Sequence, residues 1–469
     1  MYALNPYLPS FEYIPDAEPH VFGDRVYIYG SHDKFNGYAF CLNDYVCWSA
    51  SVDDLSSWRY EGVIYKRNQD PRGKRGFQNA LYAPDVCKGA DSRFYMYYFL
   101  ANHGIISVAV CDTPNGKYEY LGDVRYPDGK ILGSKKEPLQ FDPGVFIDDD
   151  GKIYLYTGFA PLDWPDFLMG GHKATEHGAM GFELEKDMLT IKSGIHYIGV
   201  EGQKNSKGTD YEGHEFFEAS SMRKRNGKYY FIYSTVNGHE LAYAVSDSPL
   251  SGFHYGGVII SNGDLGLSDK RLNYTGNIHG SIENINGQEY VFYHRQTNRN
   301  MFSRQACAEK IELKDDEIKQ VEMTSCGLNK GDLGKGTFGA YTACNLYSEK
   351  GAYHYFFLKR PKGIHPYFTQ TGKDREDNPD QYIKNFAHGA TAVFKYFTFD
   401  AAKHLKLKIK AHGDGRIKVY CDEKLVCEIP VKKGDREVFS NVHFKAHRSA
   451  LKFTYEGKKN IDFKEFVIE

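Results

Sequence analysis

The sequence predicts an all-β protein: a five-bladed β-propeller over residues 1–325, a linker over 326–338, and a β-sandwich, jelly-roll-like domain over 339–469. Three observations carry this. At 469 residues the chain exceeds what one core comfortably supports, so two domains are expected. Its aromatic content is high and skewed, with 37 Tyr and 31 Phe against 3 Trp, and Tyr and Phe suit pleated, half-buried surfaces. Above all, one aromatic strand pattern recurs five times.

The repeats are RVYIYGSHD (25–33), RFYMYYFLANHG (93–104), KIYLYTGFA (152–160), KYYFIYSTVNG (228–238) and EYVFYHRQTN (289–298). Each follows a Gly or Asp turn, and each is preceded by a short apolar segment that holds one polar residue. Those polar residues are Asp16, Asp85, Asp142, Glu218 and His279, ten to twelve positions before the central tyrosine of their strands. Hairpins recurring about every 60 to 75 residues fit four-stranded propeller blades, the surplus over a ~40–45-residue blade lying in loops. A tandem of sandwiches also gives regular hairpins, but does not call for one inward polar residue per repeat.

After the fifth repeat comes the glycine-rich passage CGLNKGDLGKGTFGAY, read as the linker. Beyond it Leu405, Leu407 and Ile409 alternate with Lys406, Lys408 and Lys410. Period-two patterning of this kind marks an antiparallel strand with one wet face. No amphipathic helix of any length is expected.

A net charge of −2 gives no reason to expect nucleic acid or an anionic membrane as partner. The nine cysteines lack metal-type spacing and read as reduced thiols. No apolar run approaches the ~18 residues of a membrane span. The N-terminus has neither a basic n-region nor an apolar h-region, so the expected location is cytoplasmic, or secreted if a leader is removed.

In a propeller the innermost strands converge on one axis, which places the five polar residues around a common funnel. Carboxylates crowded together cannot all keep ordinary pKa values, and separated pKa values are what acid–base hydrolysis requires. Glu218, between Phe217 and Ala219, has the apolar setting that keeps a general acid protonated. Against this, an Asp in a PDA or FDP turn is ordinarily a backbone cap.

The segments NPYLPSFEYIPDAEPHVF, YAPDV, FDPGVFIDDDGKIYLYTG, FFEASSMRKRNGKYYFIYS and NIHGSIENINGQEYVFYHR resemble glycoside hydrolase family 43, whose members are five-bladed propellers acting on arabinose- and xylose-containing glycans. The resemblance runs from about residue 4 to 320. It implies Asp16 as general base, Glu218 as general acid and Asp142 as the carboxylate that orients the acid, with inversion at the anomeric carbon. It implies sugar contacts from Phe141, from Tyr82 (where the family usually has Trp) and from Arg304, with Arg295 as second candidate. His279 matches a histidine often found beside an axial calcium ion of structural or electrostatic role, and no cofactor is required for the chemistry. Asp85 is expected to be structural. Trp164, in the long loop after the third repeat, is a candidate for stacking on a further sugar.

The C-terminal part resembles carbohydrate-binding module family 6, but it contains no Trp, which favours a structural companion over a sugar binder. The expected activity is an inverting exo-hydrolase of oligosaccharides or polysaccharide side chains that releases α-L-arabinofuranose. Alternatives are a β-xylosidase, a galactan- or galactoside-directed hydrolase of the same fold, a glycoside phosphorylase, and a non-catalytic glycan-binding propeller.

Overall fold

The computed structural model describes residues 2–73, 79–164, 169–175, 177–355, 365–375 and 380–469. The aromatic repeats are the second strands of five radially arranged sheets. Blade one is β1 (Glu18–Phe22), β2 (Arg25–Tyr29), β3 (Tyr45–Ser51) and β4 (Asp54–Tyr65). Blade two is β5 (Leu81–Lys88), β6 (Phe94–Leu100), β7 (Ile106–Cys111) and β8 (Glu119–Asp123). Blade three is β9 (Gly144–Ile147), β10 (Ile153–Thr157), β11 (Met180–Leu184) and β12 (His196–Tyr197). Blade four is β13 (Phe216–Arg225), β14 (Lys228–Thr235), β15 (Glu240–Ser246) and β16 (His254–Ser261).

Blade five has three strands, β17 (Ser281–Ile285), β18 (Gln288–Gln296) and β19 (Arg304–Ile311). The N-terminal segment lies along β19 where the other blades have a fourth strand. Tyr7 N–H donates to Ala306 O, and the Asn5 side chain both donates to Ala308 O and accepts from its N–H. The two ends of the propeller are thereby clasped together. A short hairpin, β20 (Leu313–Lys314) and β21 (Glu317–Ile318), follows.

Aromatic and aliphatic residues fill nearly every position of the repeat strands because both faces of each blade are buried. In β2, Val26 and Ile28 enter the core shared with blade five, while Tyr27 and Tyr29 enter the core shared with blade two. In β14, Tyr230 and Ile232 face blade five, while Tyr229, Phe231 and Tyr233 face blade three. Opposite side-chain directions at successive residues thus feed five inter-blade cores that close the ring.

The C-terminal sheet comprises β22 (Gly336–Gly339), β23 (Asn345–Tyr347), β24 (Tyr367–Gln370), β25 (Gln381–Phe386), β26 (Thr391–Ala411), β27 (Gly415–Cys421), β28 (Lys424–Val431), β29 (Glu437–Gly457) and β30 (Ile461–Ile468). Its 21-residue strands β26 and β29 pair with register shifts between Phe394 and His404. They bend the sheet around one core that includes Phe394, Leu405, Leu407, Ile409 and Phe466. Lys406, Lys408 and Lys410 are exposed, as the alternation requires. None of the nine cysteines is paired in a disulfide, and no helix among the described residues is long and apolar enough to cross a membrane.

Candidate active site

Four of the five polar residues meet at the mouth of the axis. Asp16, Asp142 and His279 each lie two positions before the inner strand of their blade, and Glu218 is the third residue of β13. The backbone is bent to present them. Asp16 (φ 57°) and Asp142 (φ 44°) are left-handed, as is Ala219 (φ 71°) just after Glu218, and each such residue costs roughly 1–3 kcal/mol. β13 is also irregular here, with register shifts on both sides of Glu218 that re-aim its side chain.

The carboxylates are tuned in opposite directions. Burial works against charge on Asp16, but Arg304 Nη1 stands 2.8 Å from its Oδ1 and holds it below the usual carboxylate range. Glu218 is pushed up to about 8 by burial and then by the negative charge of Asp142. Asp142 is itself raised, chiefly by burial, despite His279 Nδ1 at 3.3 Å from its Oδ2. His279 is raised to about 9: burial opposes its charge, but the Asp142 contact outweighs it.

His294, which the sequence reading missed, lies against Asp16. Burial and Arg304 push it down to about 3, so it is neutral. Its Nδ1 accepts from Asp16 N–H, leaving Nε2–H to donate to Asn277 O. Asp33 was missed as well. It takes Arg304 Nε and Nη2 on its two oxygens, at 2.9 and 3.1 Å.

Arg304 is therefore buried between two carboxylates and stacked 4.8 Å from the Phe40 ring. Its fork spans Asp16 and Asp33, so the contacts it makes are to carboxylates of the site itself. Arg295 departs from expectation. Its guanidinium donates to Gln305 Oε1, Tyr341 O and Ala343 O and lies 4.0 Å from the Phe368 ring. That environment makes it a strut between the propeller and the C-terminal domain.

Aromatic rings form an arc around the mouth. Phe40 packs on Tyr82 (6.5 Å), Tyr82 on Phe141 (5.7 Å), Phe141 on Phe159 (5.1 Å), and Phe159 on both Phe217 (5.1 Å) and Trp164 (5.6 Å). Trp164 ends the arc and is half exposed; part of its loop, residues 165–168 and 176, lies outside the described residues.

Asp85 does not join the funnel layer. It sits one level down the axis, accepting from His20 Nε2 (2.6 Å) and Val145 N–H (2.7 Å). Beside it Glu18 accepts from Arg223 Nη2 (2.9 Å) and Ser221 Oγ, and Ser221 meets Ser281. Every blade contributes to this girdle. Glu18, His20 and Asp85 are the one described group of three metal-capable side chains, and Arg223 and His20 already meet its carboxylates. Beside His279 stands the Asp142 carboxylate, whose Oδ1 is buried without a hydrogen-bond partner; an axial calcium ion, which takes six to eight oxygen ligands, would draw most of them from water.

Comparison with known proteins shows the family. The family model for glycosyl hydrolases family 43 matches residues 4–318. A "Xylosidase/arabinosidase" of Thermoclostridium stercorarium is 49% identical, the match covering 99% of this chain and 98% of that protein. A β-xylosidase/α-arabinofuranosidase from a compost microbial metagenome, solved with xylotriose, is similar over 68% of this chain and 97% of its own, at 26% identity and a TM-score of 0.53. The arabinoxylan arabinofuranohydrolase from Bacillus subtilis, solved with cellotetraose, shares the fold over 99% of this chain and 97% of its own, with a TM-score of 0.53 and 23% identity. The chain belongs to glycosyl hydrolases family 43, and it is a glycoside hydrolase.

Proposed function

We propose that the protein is an inverting exo-hydrolase that removes terminal pentose, foremost α-L-arabinofuranose, from oligosaccharides and polysaccharide side chains. The observation that carries this is the split between two carboxyl groups on one funnel: Asp16 kept ionised by Arg304, Glu218 kept protonated by burial and Asp142. Such a split assigns base and acid. Glu218 gives its proton to the glycosidic oxygen as the bond to the anomeric carbon breaks. Asp16 takes a proton from a water that attacks the opposite face, so the released sugar has the inverted configuration. Asp142 keeps Glu218 protonated, and Tyr82 and Phe141 wall the sugar. The pentose assignment is supported by the xylosidase/arabinosidase that matches nearly the whole chain. The neighbour solved with xylotriose supports β-xylosidase as the second reading.

A panel of aryl α-L-arabinofuranoside, β-D-xyloside and galactoside substrates, with NMR of the first-formed anomer, tests this reading. Retention at the anomeric carbon overturns the water-activating role of Asp16. Glu218→Ala should lose most activity on natural glycans and far less on substrates with good leaving groups, which need no acid; equal losses overturn the acid assignment.

A further inference from the structure

Residues 371–375, which follow β24 of the C-terminal domain, meet blade one and engage the segment 33–44. Asp374 Oδ1 accepts from Phe35 N–H at 2.6 Å, and Asp374 Oδ2 accepts from Asn43 Nδ2 at 3.1 Å. Asn43 Nδ2 in turn donates to Asp33 O, and Cys41 N–H donates to Asp33 Oδ1. Phe35 is also stacked on Tyr13 (5.7 Å), whose hydroxyl donates to Gln370 Oε1 of β24. Arg375 places Nη1 on both oxygens of buried Glu12, at 2.6 and 2.8 Å.

The segment these contacts hold carries the carboxylate and the ring that hold Arg304. Asp33 receives three donors from Arg304, its backbone N–H among them, and Phe40 lies against the guanidinium. Arg304 Nη1 then reaches Asp16. The path from the C-terminal domain to Asp16 is unbroken: Asp374, the 33–44 segment, Asp33, Arg304, Asp16.

We propose that the C-terminal domain is a positioning element of the active site, with Asp374 fixing the 33–44 segment so that Asp33 and Arg304 hold Asp16 in its ionised, aimed state. This rests on Asp16 being the general base. A domain whose residues 371–375 are committed to the propeller acts as part of the enzyme rather than as a tethered module. Asp16 is faced by Arg304 from β19, His294 from β18, His279 ahead of β17, Asp142 ahead of β9, Glu218 from β13, and Cys41 and Tyr45 from blade one. Among these, Arg304 is the cation whose placement depends on Asp33.

The test compares full-length wild type, Asp374→Ala, Asp374→Asn and Asn345→Ala on an aryl pentoside. Asn345→Ala removes a fully buried cross-domain hydrogen bond, Nδ2 to Asp264 Oδ2 at 2.6 Å, away from the 33–44 segment. For Asp374→Ala the acidic limb of kcat/KM should move up by about one pH unit as Arg304 loosens from Asp16. Its kcat should fall about tenfold with little change in KM. Asp374→Asn, which still accepts from Phe35 N–H, should recover part of both. Asn345→Ala should lower the melting temperature and leave the limb in place. An unmoved limb in Asp374→Ala, or the same displacement in Asn345→Ala, overturns the proposal. Asp16→Ala is measured alongside: if it is inactive while Asp374→Ala keeps its limb, only the linkage fails, and if it stays active the base assignment fails and takes the linkage with it.

Discussion

His279 places its Nδ1 3.3 Å from Asp142 Oδ2, so the funnel holds one cation against the carboxyl pair Asp142 and Glu218. The pair titrates as a unit, and its last proton is the one Glu218 needs to act as acid. Activity should therefore fall as pH rises through about 8. Asp142→Asn removes the neighbouring negative charge, and the alkaline limb should move down by about one unit. His279→Gln removes the positive charge and should move that limb up. Opposite displacements in pH profiles of kcat check the arrangement, and movement of both limbs in the same direction contradicts it.

Closure of the ring rests on Asn5. Its amide donates to Ala308 O and Glu309 Oε1 and accepts from Ala308 N–H in the interior, and it reaches Thr324 O at a partly buried contact. Asn5→Ala leaves several of these groups unpaired, and each buried orphan costs about 1–3 kcal/mol. We expect a loss of about 2–4 kcal/mol, read as a lower urea midpoint, with the pH profile of any surviving activity unchanged.

The blades were legible because the repeat strands alternate between two buried faces, which leaves apolar side chains at nearly every position in a fixed aromatic pattern. The N-terminal clasp was not, since Asn5 meets Ala308 across 303 residues and nothing local in NPYLPS announces it. Asp16, Asp142 and Glu218 stood out as lone acids among apolar neighbours. Asp85 has the same local signature but lies one level deeper, because it is the fifth residue of β5, whereas Glu218 is the third of β13 and Asp16 and Asp142 precede their strands. Arginine roles were the least readable: Arg295 and Arg304, nine positions apart, diverge only through what the C-terminal domain and Asp33 bring to them. Asp33 had a faint signal, as the one acid at the C-terminal end of any of the five aromatic strands.

Trp164 tests how far the sugar site extends. It is half exposed and held edge-on to Phe159 at 5.6 Å, at the outer end of the aromatic arc. A stacked aromatic contact is worth about 0.5–1.5 kcal/mol. Trp164→Ala should therefore raise KM about two- to tenfold on oligosaccharides and leave aryl monosaccharides unaffected. Equal effects on both substrate classes assign Trp164 to local packing.

Glu12 ties domain docking to pH. Burial opposes its charge, but His32 and Arg375 together bring it down to about 2 from an ordinary 4.5. A carboxyl lowered on folding contributes stability that is fully present above its unfolded value and disappears as pH falls through the folded one. The window is therefore about pH 4.5 down to about 2. At roughly 1.4 kcal/mol per unit the contribution at neutral pH is on the order of 3 kcal/mol. Glu12→Gln should thus be less stable than wild type at pH 7 by about that amount, and the gap should close on acidification. Urea unfolding of both proteins at pH 7, 5 and 3 measures it. A gap that stays constant across that range means Glu12 acts through shape and hydrogen bonding alone, and the charge of Arg375 then has no share in holding the domains together.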